Sequence, residues 1–139
     1  MKPKLFVVKI GGNVIDDPGQ LTSFLQAIAT LKEACILVHG GGKIATRLGD
    51  QLGIESQYVN GRRVTNDATI DLVTMVYGGL VNKQLVAQLQ SMGCNAIGLT
   101  GADANLIPAT KRLAQPLDYG WVGDVDASRI ATQPLQAML

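Results

Sequence analysis

Runs of apolar residues separated by glycine turns divide the first part of this chain into alternating strands and helices. Leu5 to Ile10 is apolar apart from Lys9, and Cys35 to Val38 is a second short apolar run. Both have the length of a buried strand. Residues that recur at helical spacing lie between them: Leu21, Phe24, Leu25, Ile28 and Leu31. The alternation predicts an α/β sheet, and strands this apolar predict mainly parallel pairing with both faces covered.

Shorter extended segments are predicted further along the chain. Tyr58 to Thr65 carries β-forming residues on both sides of Asn60-Gly61, a dipeptide that strongly indicates a two-residue hairpin. The other predicted short strands are residues 95–99, 106–110 and 121–125. A final amphipathic helix is predicted over residues 131–139.

The longest helical stretch begins near Asp67 and runs to about Met92, where Gly93 ends it. Three candidate N-caps occur at its start: Thr65, Asn66 and Asp67. Its apolar residues occupy more than one side, so we expect burial on several sides. Gly78-Gly79 disfavours a regular helix and predicts close packing or a local break. Both a homodimer contact and a central core helix of a monomer fit this pattern.

The composition is that of one globular domain, residues 1–139. An apolar content of 47% can bury a sizeable core, and a net charge of +1 offers no footprint for nucleic acid or an anionic membrane. No apolar run approaches the ~18 residues of a transmembrane helix. Cys35 and Cys94 adjoin apolar runs, which favours buried free thiols in a reducing cytoplasm.

Three predicted strands end in loops that contain glycine. These loops are Lys9-Ile10-Gly11-Gly12, His39-Gly40-Gly41-Gly42 and Thr100-Gly101. Ligands of open parallel sheets bind beyond the carboxyl ends of the strands, so we expect the three loops to enclose one site. Glycine permits close approach of the backbone, and the helix that follows the triple glycine begins with unpaired N–H groups. Both properties favour a phosphate or a carboxylate.

Lys9 is the most informative residue of this predicted site. A lysine at the end of a buried strand is costly unless it meets an anion, and two glycines follow it directly. We therefore expect its ammonium to point at the bound anion. The alternative is that the ammonium reaches solvent along its own aliphatic stem.

The single histidine, the glycine spacing and the paired arginines limit the kinds of site that the sequence can form. His39 is the only histidine, so we expect neither a metal site nor a nucleophilic triad, and we assign it to support of the glycine turn. Gly40-x-Gly42-x-x-Ala45 matches the dinucleotide fingerprint only formally, and no Walker-type P-loop is present. Arg62 or Arg63 could clamp a carboxylate in a bidentate pair, but two solvated arginines on a hairpin fit the spacing equally well.

A set of motifs in a fixed order makes the sequence recognisable. They are Lys9-Ile10-Gly11-Gly12, Val38-His39-Gly40-Gly41-Gly42, Asn60-Gly61-Arg62-Arg63-Val64-Thr65, Gly98-Leu99-Thr100-Gly101-Ala102-Asp103 and Gly120-Trp121-Val122-Gly123-Asp124-Val125. Together they resemble the amino acid kinase family and, within it, the acetylglutamate kinases. The resemblance covers essentially the whole chain. It implies a three-layer α/β/α sandwich with a mainly parallel central sheet.

The resemblance also implies a reaction and a set of site residues. The γ-phosphoryl group of MgATP would pass to the side-chain carboxylate of N-acetyl-L-glutamate, giving N-acetylglutamyl 5-phosphate in arginine biosynthesis. Lys9 would be catalytic and stabilise the transferring phosphoryl group, with the Gly11-Gly12 backbone beside it. Gly41 and Gly42 would supply amides to substrate and phosphoryl oxygens. The second of the paired arginines, Arg63, would hold a substrate carboxylate.

In that family the nucleotide site lies in a second half, which this sequence lacks. We therefore expect a cytoplasmic N-terminal lobe that binds N-acetyl-L-glutamate, is inactive alone and dimerises through the helix at 67–92. Two alternatives stay open. One is a kinase of a related N-acylated amino acid such as aminoadipate, since one methylene changes discrimination by only about 1–3 kcal/mol. The other is a non-catalytic lobe that binds an acyl amino acid or only dimerises.

Overall fold

A computed structural model describes residues 4–139; residues 1–3 of the predicted domain lie outside it. The elements of the first part are β1 (Leu5–Ile10), α1 (Gly12–Ile15), α2 (Pro18–Ala29), β2 (Ala34–His39) and α3 (Gly42–Gln51). The two strands pair in parallel, with Ile10 opposite His39. Asp17 caps α2 by accepting hydrogen bonds of 3.0 Å from two backbone N–H groups, which lowers the pKa of its carboxyl. This part of the chain confirms the predicted α/β class.

The second part contains two hairpins and a long helical stretch. Its elements are β3 (Gln57–Val59), β4 (Arg62–Val64), α4 (Asp67–Val73), a π-helical segment (Thr74–Val81), α5 (Asn82–Ser91), β5 (Ala109–Lys111), β6 (Gly123–Val125) and α6 (Thr132–Met138). Short 3₁₀ turns lie at Asp103–Asn105 and Ala127–Arg129. The predicted short strands at 106–110 and 121–125 are therefore present as a shorter antiparallel pair.

The first hairpin forms as its turn sequence predicts. Asn60 and Gly61 have φ angles of 51° and 74°, the left-handed conformation that a two-residue turn requires. This turn sets Tyr58 opposite Arg63. The hairpin is extended beyond β4, because Thr65 donates its N–H to the Tyr119 carbonyl at 2.9 Å. The loop before β6 is thereby fixed to the first hairpin.

The long helix is continuous but irregular. Asn66 is its N-cap and accepts a hydrogen bond of 2.9 Å from the backbone N–H of Thr69. The predicted break at Gly78-Gly79 is a π-helical segment, a feature that often lies at functional sites. At the far end, the N–H of Cys94 bonds the Leu89 carbonyl at 3.0 Å across Gly93, which is a helix-ending motif.

One contiguous core lies between a single face of the parallel strands and the surrounding helices. Its buried members are Ile10, Ile15, Leu21, Leu25, Ala45, Leu72, Val76, Val81, Leu85 and Leu89. The predicted apolar face of α2 packs into this core, except that Leu31 lies beyond the helix and is 39% exposed. Burial of these side chains is the main stabilising term of the fold.

Burial is more one-sided than the apolar patterns predict. On the outer face of the strands, Val7 of β1 is 67% exposed and Val38 of β2 is 44% exposed. On the long helix, Met75 is 56% exposed and Leu80 is 40% exposed. The expectations of strands covered on both faces and of a helix buried on several sides are therefore wrong for residues 4–139. The apolar residues exist, but no element of the described chain packs over them.

The predicted third strand, residues 95–99, is not a strand in the structure. Its backbone carbonyls accept hydrogen bonds from side chains of α5 instead of from a neighbouring strand. Gln90 donates to the Ala96 carbonyl at 2.9 Å, and Lys83 donates to the Gly98 carbonyl at 2.9 Å. The segment is therefore docked on a helix, which a pattern of apolar residues does not distinguish from pairing in a sheet.

Candidate functional site

The two glycine turns lie side by side at one edge of the parallel strands. Because Ile10 is opposite His39 in the register, the chain leaves both strands at the same edge and enters a helix from each turn. A side-chain contact also joins the two helices, since Lys43 Nζ of α3 lies 2.8 Å from Asn13 Oδ1 of α1. The predicted convergence of these two loops is confirmed. The third predicted loop approaches them through a different contact, described below.

Arg63 holds the start of α3 from the hairpin side. Its Nη2 donates to the Gly42 carbonyl and to the Thr46 hydroxyl, both at 3.1 Å. Its Nη1 donates to Ser56 Oγ. The guanidinium also stacks on the Tyr58 ring, 4.8 Å from the ring centroid. A fixed positive charge therefore lies at the helix end that favours anions.

Arg62 lies on the other side of the hairpin, because successive residues of a strand point to opposite faces. Its charge contributes to the lowered pKa of Asp124, after the larger effect of the hydrogen bond from Arg112. The structure thus separates the two arginines that spacing alone could not distinguish. Only Arg63 contacts the glycine turn. Nη2 of Arg63 already donates to Gly42 and Thr46. A carboxylate bound in a bidentate pair would therefore have to replace one of these two partners.

Tyr77 covers the glycine turn from the π-helical segment. A Cβ atom added at Gly41 would lie 2.8 Å from Tyr77 Cδ1, and one added at Gly42 would lie 3.6 Å from the Tyr77 hydroxyl. The tyrosine ring can approach this closely only because residue 41 has no side chain. Tyr77 is 36% exposed, so part of this residue remains in contact with solvent.

Lys9 lies at the carboxyl end of β1 with an exposed side chain. It is opposite Val38 on the outer, uncovered face of the strands. Within residues 4–139 it forms neither a hydrogen bond nor an ion pair. The expectation that burial would force its ammonium toward an anion is therefore not met by the described chain, in which water can solvate this side chain.

The loop after residue 99 is a compact turn closed by Asp103. Its carboxylate accepts hydrogen bonds from the backbone N–H of Thr100 at 2.6 Å and from the hydroxyl of Thr100 at 2.8 Å. These bonds lower the pKa of Asp103. Thr100 also lies close to the long helix, since a Cβ added at Gly78 would be 3.1 Å from Thr100 Cγ2.

Neither a metal cluster nor a membrane span is found in the described chain. Among residues 4–139, no group of three or more His, Cys, Asp or Glu side chains is placed to hold a metal ion. No helix in that range is both long and apolar enough to cross a bilayer. Burial raises the pKa of the Cys35 thiol, and the nearby Cys94 adds to the effect.

Several side chains at the site were not anticipated from the sequence. Tyr58 could have been found, because a two-residue turn at Asn60-Gly61 places residue 58 opposite Arg63. Thr46 could also have been found, since it lies one helical turn after Gly42. The others reach the site through tertiary packing and carry no local signal: Ser56 beside Arg63, Tyr77 on the glycine turn and Asn82 beside His39.

The fold and these motifs are those of the amino acid kinase family. The family model described as the amino acid kinase family matches residues 4–139, and the chain belongs to this family. Among curated relatives, the acetylglutamate kinase of Cytophaga hutchinsonii is 58% identical over 137 residues, covering 98% of this chain and 51% of the relative. That of Bacteroides thetaiotaomicron is 52% identical over 134 residues, covering 94% and 52%. The chain thus spans about half the length of these relatives.

Solved structures support the same fold. The smu.665 protein of Streptococcus mutans superposes with a TM-score of 0.80 at 26% identity, covering 97% of this chain and 54% of that protein. The N-acetylglutamate synthase of Neisseria gonorrhoeae, solved with coenzyme A and N-acetyl-glutamate, superposes with a TM-score of 0.69 at 20% identity, covering 96% and 30%. The second comparison bears on the fold alone. The amino acid kinase-like architecture predicted from the sequence is confirmed.

The close contact at Gly41 gives a testable expectation. Gly41→Ala should destabilise the chain by about 1–3 kcal/mol, because its methyl group would overlap the Tyr77 ring. Gly40→Ala is the matched control, since no atom lies within 4 Å of a Cβ added there. Urea unfolding of both variants measures the difference. Equal stabilities would contradict the described packing of Tyr77.

Proposed function

We propose that this chain is the N-terminal, amino-acid-binding lobe of an acetylglutamate kinase. The complete enzyme would transfer the γ-phosphoryl group of ATP to the side-chain carboxylate of N-acetyl-L-glutamate, forming N-acetylglutamyl 5-phosphate. The similarity to acetylglutamate kinases at 52–58% identity over nearly the whole chain supports this proposal. The observation that carries it is the contact between Arg63 and Gly42. It brings a guanidinium to the helix start where an acidic substrate would bind.

The proposed substrate roles follow from this contact. Arg63 would hold a carboxylate of the acyl amino acid, using donors that its present partners leave free or by displacing Thr46. Gly41 and Gly42 would donate backbone N–H groups of the first turn of α3, which have no partner within the helix. Stacking of Arg63 on Tyr58 restricts the guanidinium before substrate arrives, so less side-chain freedom is lost on binding.

The proposed chemistry suits a site without a general base. A carboxylate with a pKa of about 4 is already ionised near neutral pH, so no proton must be removed before it attacks phosphorus. The main difficulty is the approach of two anions. Lys9 and the Gly11-Gly12 backbone, at the same strand edge as the triple glycine, would offset the charge on the transferring phosphoryl group. Lys9 is free to turn toward that group because its side chain is exposed.

ATP, as its magnesium complex, would be bound mainly by the half of the enzyme that this chain does not contain. Since the chain corresponds to about half of its curated relatives, we propose that residues 1–139 form the substrate lobe and do not catalyse transfer alone. The uncovered apolar face of β1 and β2 is consistent with a further layer of chain that packs on it in the complete enzyme. By this proposal the enzyme acts in the cytoplasm.

Calorimetric titration of N-acetyl-L-glutamate into the chain tests the proposed site. Arg63→Ala should weaken binding about 10- to 100-fold, because a hydrogen bond to a charged group contributes about 1.5–3 kcal/mol. Arg62→Ala is the matched control, with the same change of charge one residue away on the opposite face, and should alter affinity by no more than about twofold.

The unfolding transitions of both variants must be measured in parallel, because Arg63 also contacts Ser56 and Thr46. Equal affinities in the two folded variants would contradict the proposed role of Arg63. A folded wild-type chain without affinity for this ligand would contradict the proposed substrate lobe. Comparison with N-acetyl-aminoadipate separates the two candidate substrate classes.

We further propose that the lobe forms a homodimer through the long helix. Met75 and Leu80 are exposed, and they line an open apolar hollow of about 270 Å³ together with Leu52 of the segment after α3. Contiguous exposed apolar residues of this kind are typical of contact surfaces. A second copy that presents the same helix would cover this surface in an isologous contact.

Light scattering at increasing concentration tests the dimer. The wild-type chain should approach twice its mass of 14.7 kDa, and Leu80→Glu should remain monomeric because a charge would be buried in the contact. Leu113→Glu is the control, since Leu113 is 83% exposed and does not line this hollow. A wild-type chain that stays monomeric, or a Leu80→Glu chain that dimerises normally, would rule out this surface.

A further inference from the structure

Asn82 is a buried polar residue that the proposed mechanism does not use. It is the first residue of α5, directly after the π-helical segment, and only 7% of its surface is exposed. Its Nδ2 lies 3.3 Å from Nε2 of His39 and 3.3 Å from the Leu99 carbonyl oxygen. One carboxamide therefore connects the residue before the triple glycine with the loop that follows the helix.

The contacts of His39 determine which of its nitrogens carries the proton. Nδ1 lies 2.8 Å from the Gly40 carbonyl oxygen, which can only accept a hydrogen bond, so Nδ1 is the donor. In the neutral ring Nε2 is then an acceptor, and it accepts from the Asn82 amide. The orientation of Asn82 is fixed in turn, because its other amide proton is donated to the Leu99 carbonyl.

The bond from His39 constrains a peptide plane of the proposed site. The Gly40 carbonyl and the Gly41 N–H belong to one planar peptide group, in which they point in opposite directions. Fixing the carbonyl with His39 Nδ1 therefore fixes the direction of the Gly41 N–H. Glycine has no side chain to restrict this plane, so the direction depends on such contacts.

The cost of this arrangement is visible around Asn82. Its Oδ1 is buried and has no hydrogen-bond partner among the described residues. A Cβ atom added at Gly98 would lie only 2.0 Å from that oxygen. Gly98 thus provides the space in which the carboxamide reaches both His39 and Leu99. Burying a carbonyl oxygen without a hydrogen-bond partner costs free energy. The arrangement that carries this cost is the series of hydrogen bonds from Asn82 through His39 to the glycine turn.

We infer that Asn82 is a positioning residue of the proposed phosphoryl-transfer site. Acting through His39, it selects the tautomer with the proton on Nδ1 and so aims the Gly41 N–H toward the bound substrate. It also sets the distance between the glycine turn and the loop at Leu99. The inference rests on the proposed function for its catalytic meaning, whereas the hydrogen-bond chain itself can be tested without any substrate.

Nitrogen-15 NMR of the imidazole provides that test, because His39 is the only histidine in the chain. The wild-type ring should carry its proton on Nδ1, with Nε2 unprotonated. Asn82→Asp keeps the size of the side chain but replaces the donor with an acceptor, so Nε2 should become protonated. Asn82→Leu removes the donor, and in both variants the Gly41 amide resonance should shift.

Substrate affinity provides the second measurement. Both Asn82 variants should bind N-acetyl-L-glutamate about tenfold more weakly, the loss expected when one hydrogen bond is misdirected. Combined with His39→Ala, Asn82→Leu should add little further loss if it acts through the histidine. Lys83→Met is the matched control, because Lys83 bonds the adjacent Gly98 carbonyl without touching His39. It should leave the tautomer, the Gly41 resonance and the affinity unchanged.

Two results would overturn the inference. One is a wild-type ring protonated on Nε2, and the other is a Gly41 amide that does not respond to either Asn82 variant in a folded chain. A wild-type chain that fails to bind N-acetyl-L-glutamate would instead overturn the proposed function. The tautomer and the Gly41 amide would still decide whether Asn82 positions the turn.

Discussion

Parallel pairing of β1 with β2, in the register that sets Ile10 opposite His39, is the constraint on which the candidate site depends. It brings two glycine turns to the same edge, so that backbone N–H groups from two helix starts face one region. A shift of one residue would turn one strand over relative to the other, so that either Ile10 of β1 or Leu37 of β2 would leave the core. Burial of the strand side chains thus fixes the position of the turns, although no core residue belongs to the site.

Three contacts hold the turn at Gly40–Gly42 from different directions. Arg63 binds it from the hairpin, Tyr77 packs on it from the π-helical segment, and His39 bonds its first carbonyl. Glycine has no side chain with which to fix the turn. The three contacts are therefore made by side chains of other residues. A turn that presents backbone amides to an anion needs such outside support to keep them aimed, which is the requirement for stabilising developing charge.

Local chemistry explains which features were predictable from the sequence. The turn at Asn60-Gly61 depends on adjacent residues, so its pattern predicts it correctly. The same kind of local pattern limits the helix cap to three candidates, of which Asn66 is the one observed. The segment at 95–99 was predicted as a strand because apolar alternation does not reveal that its carbonyls bond to α5. The role of Asn82 depends on contacts with residues 43 positions before it and 17 positions after it. The exposure of Lys9 likewise depends on what packs over the sheet.

The central claim, that this chain is the substrate lobe of a kinase, is tested most directly by supplying the part of a relative that the chain does not span. Residues 1–139 would be joined to the remaining half of the acetylglutamate kinase of Cytophaga hutchinsonii, and ADP release would be measured. The account predicts release that requires both ATP and N-acetyl-L-glutamate in the fusion, and none from the 139-residue chain. Turnover by the chain alone, or a folded fusion that binds both substrates without releasing ADP, would contradict it.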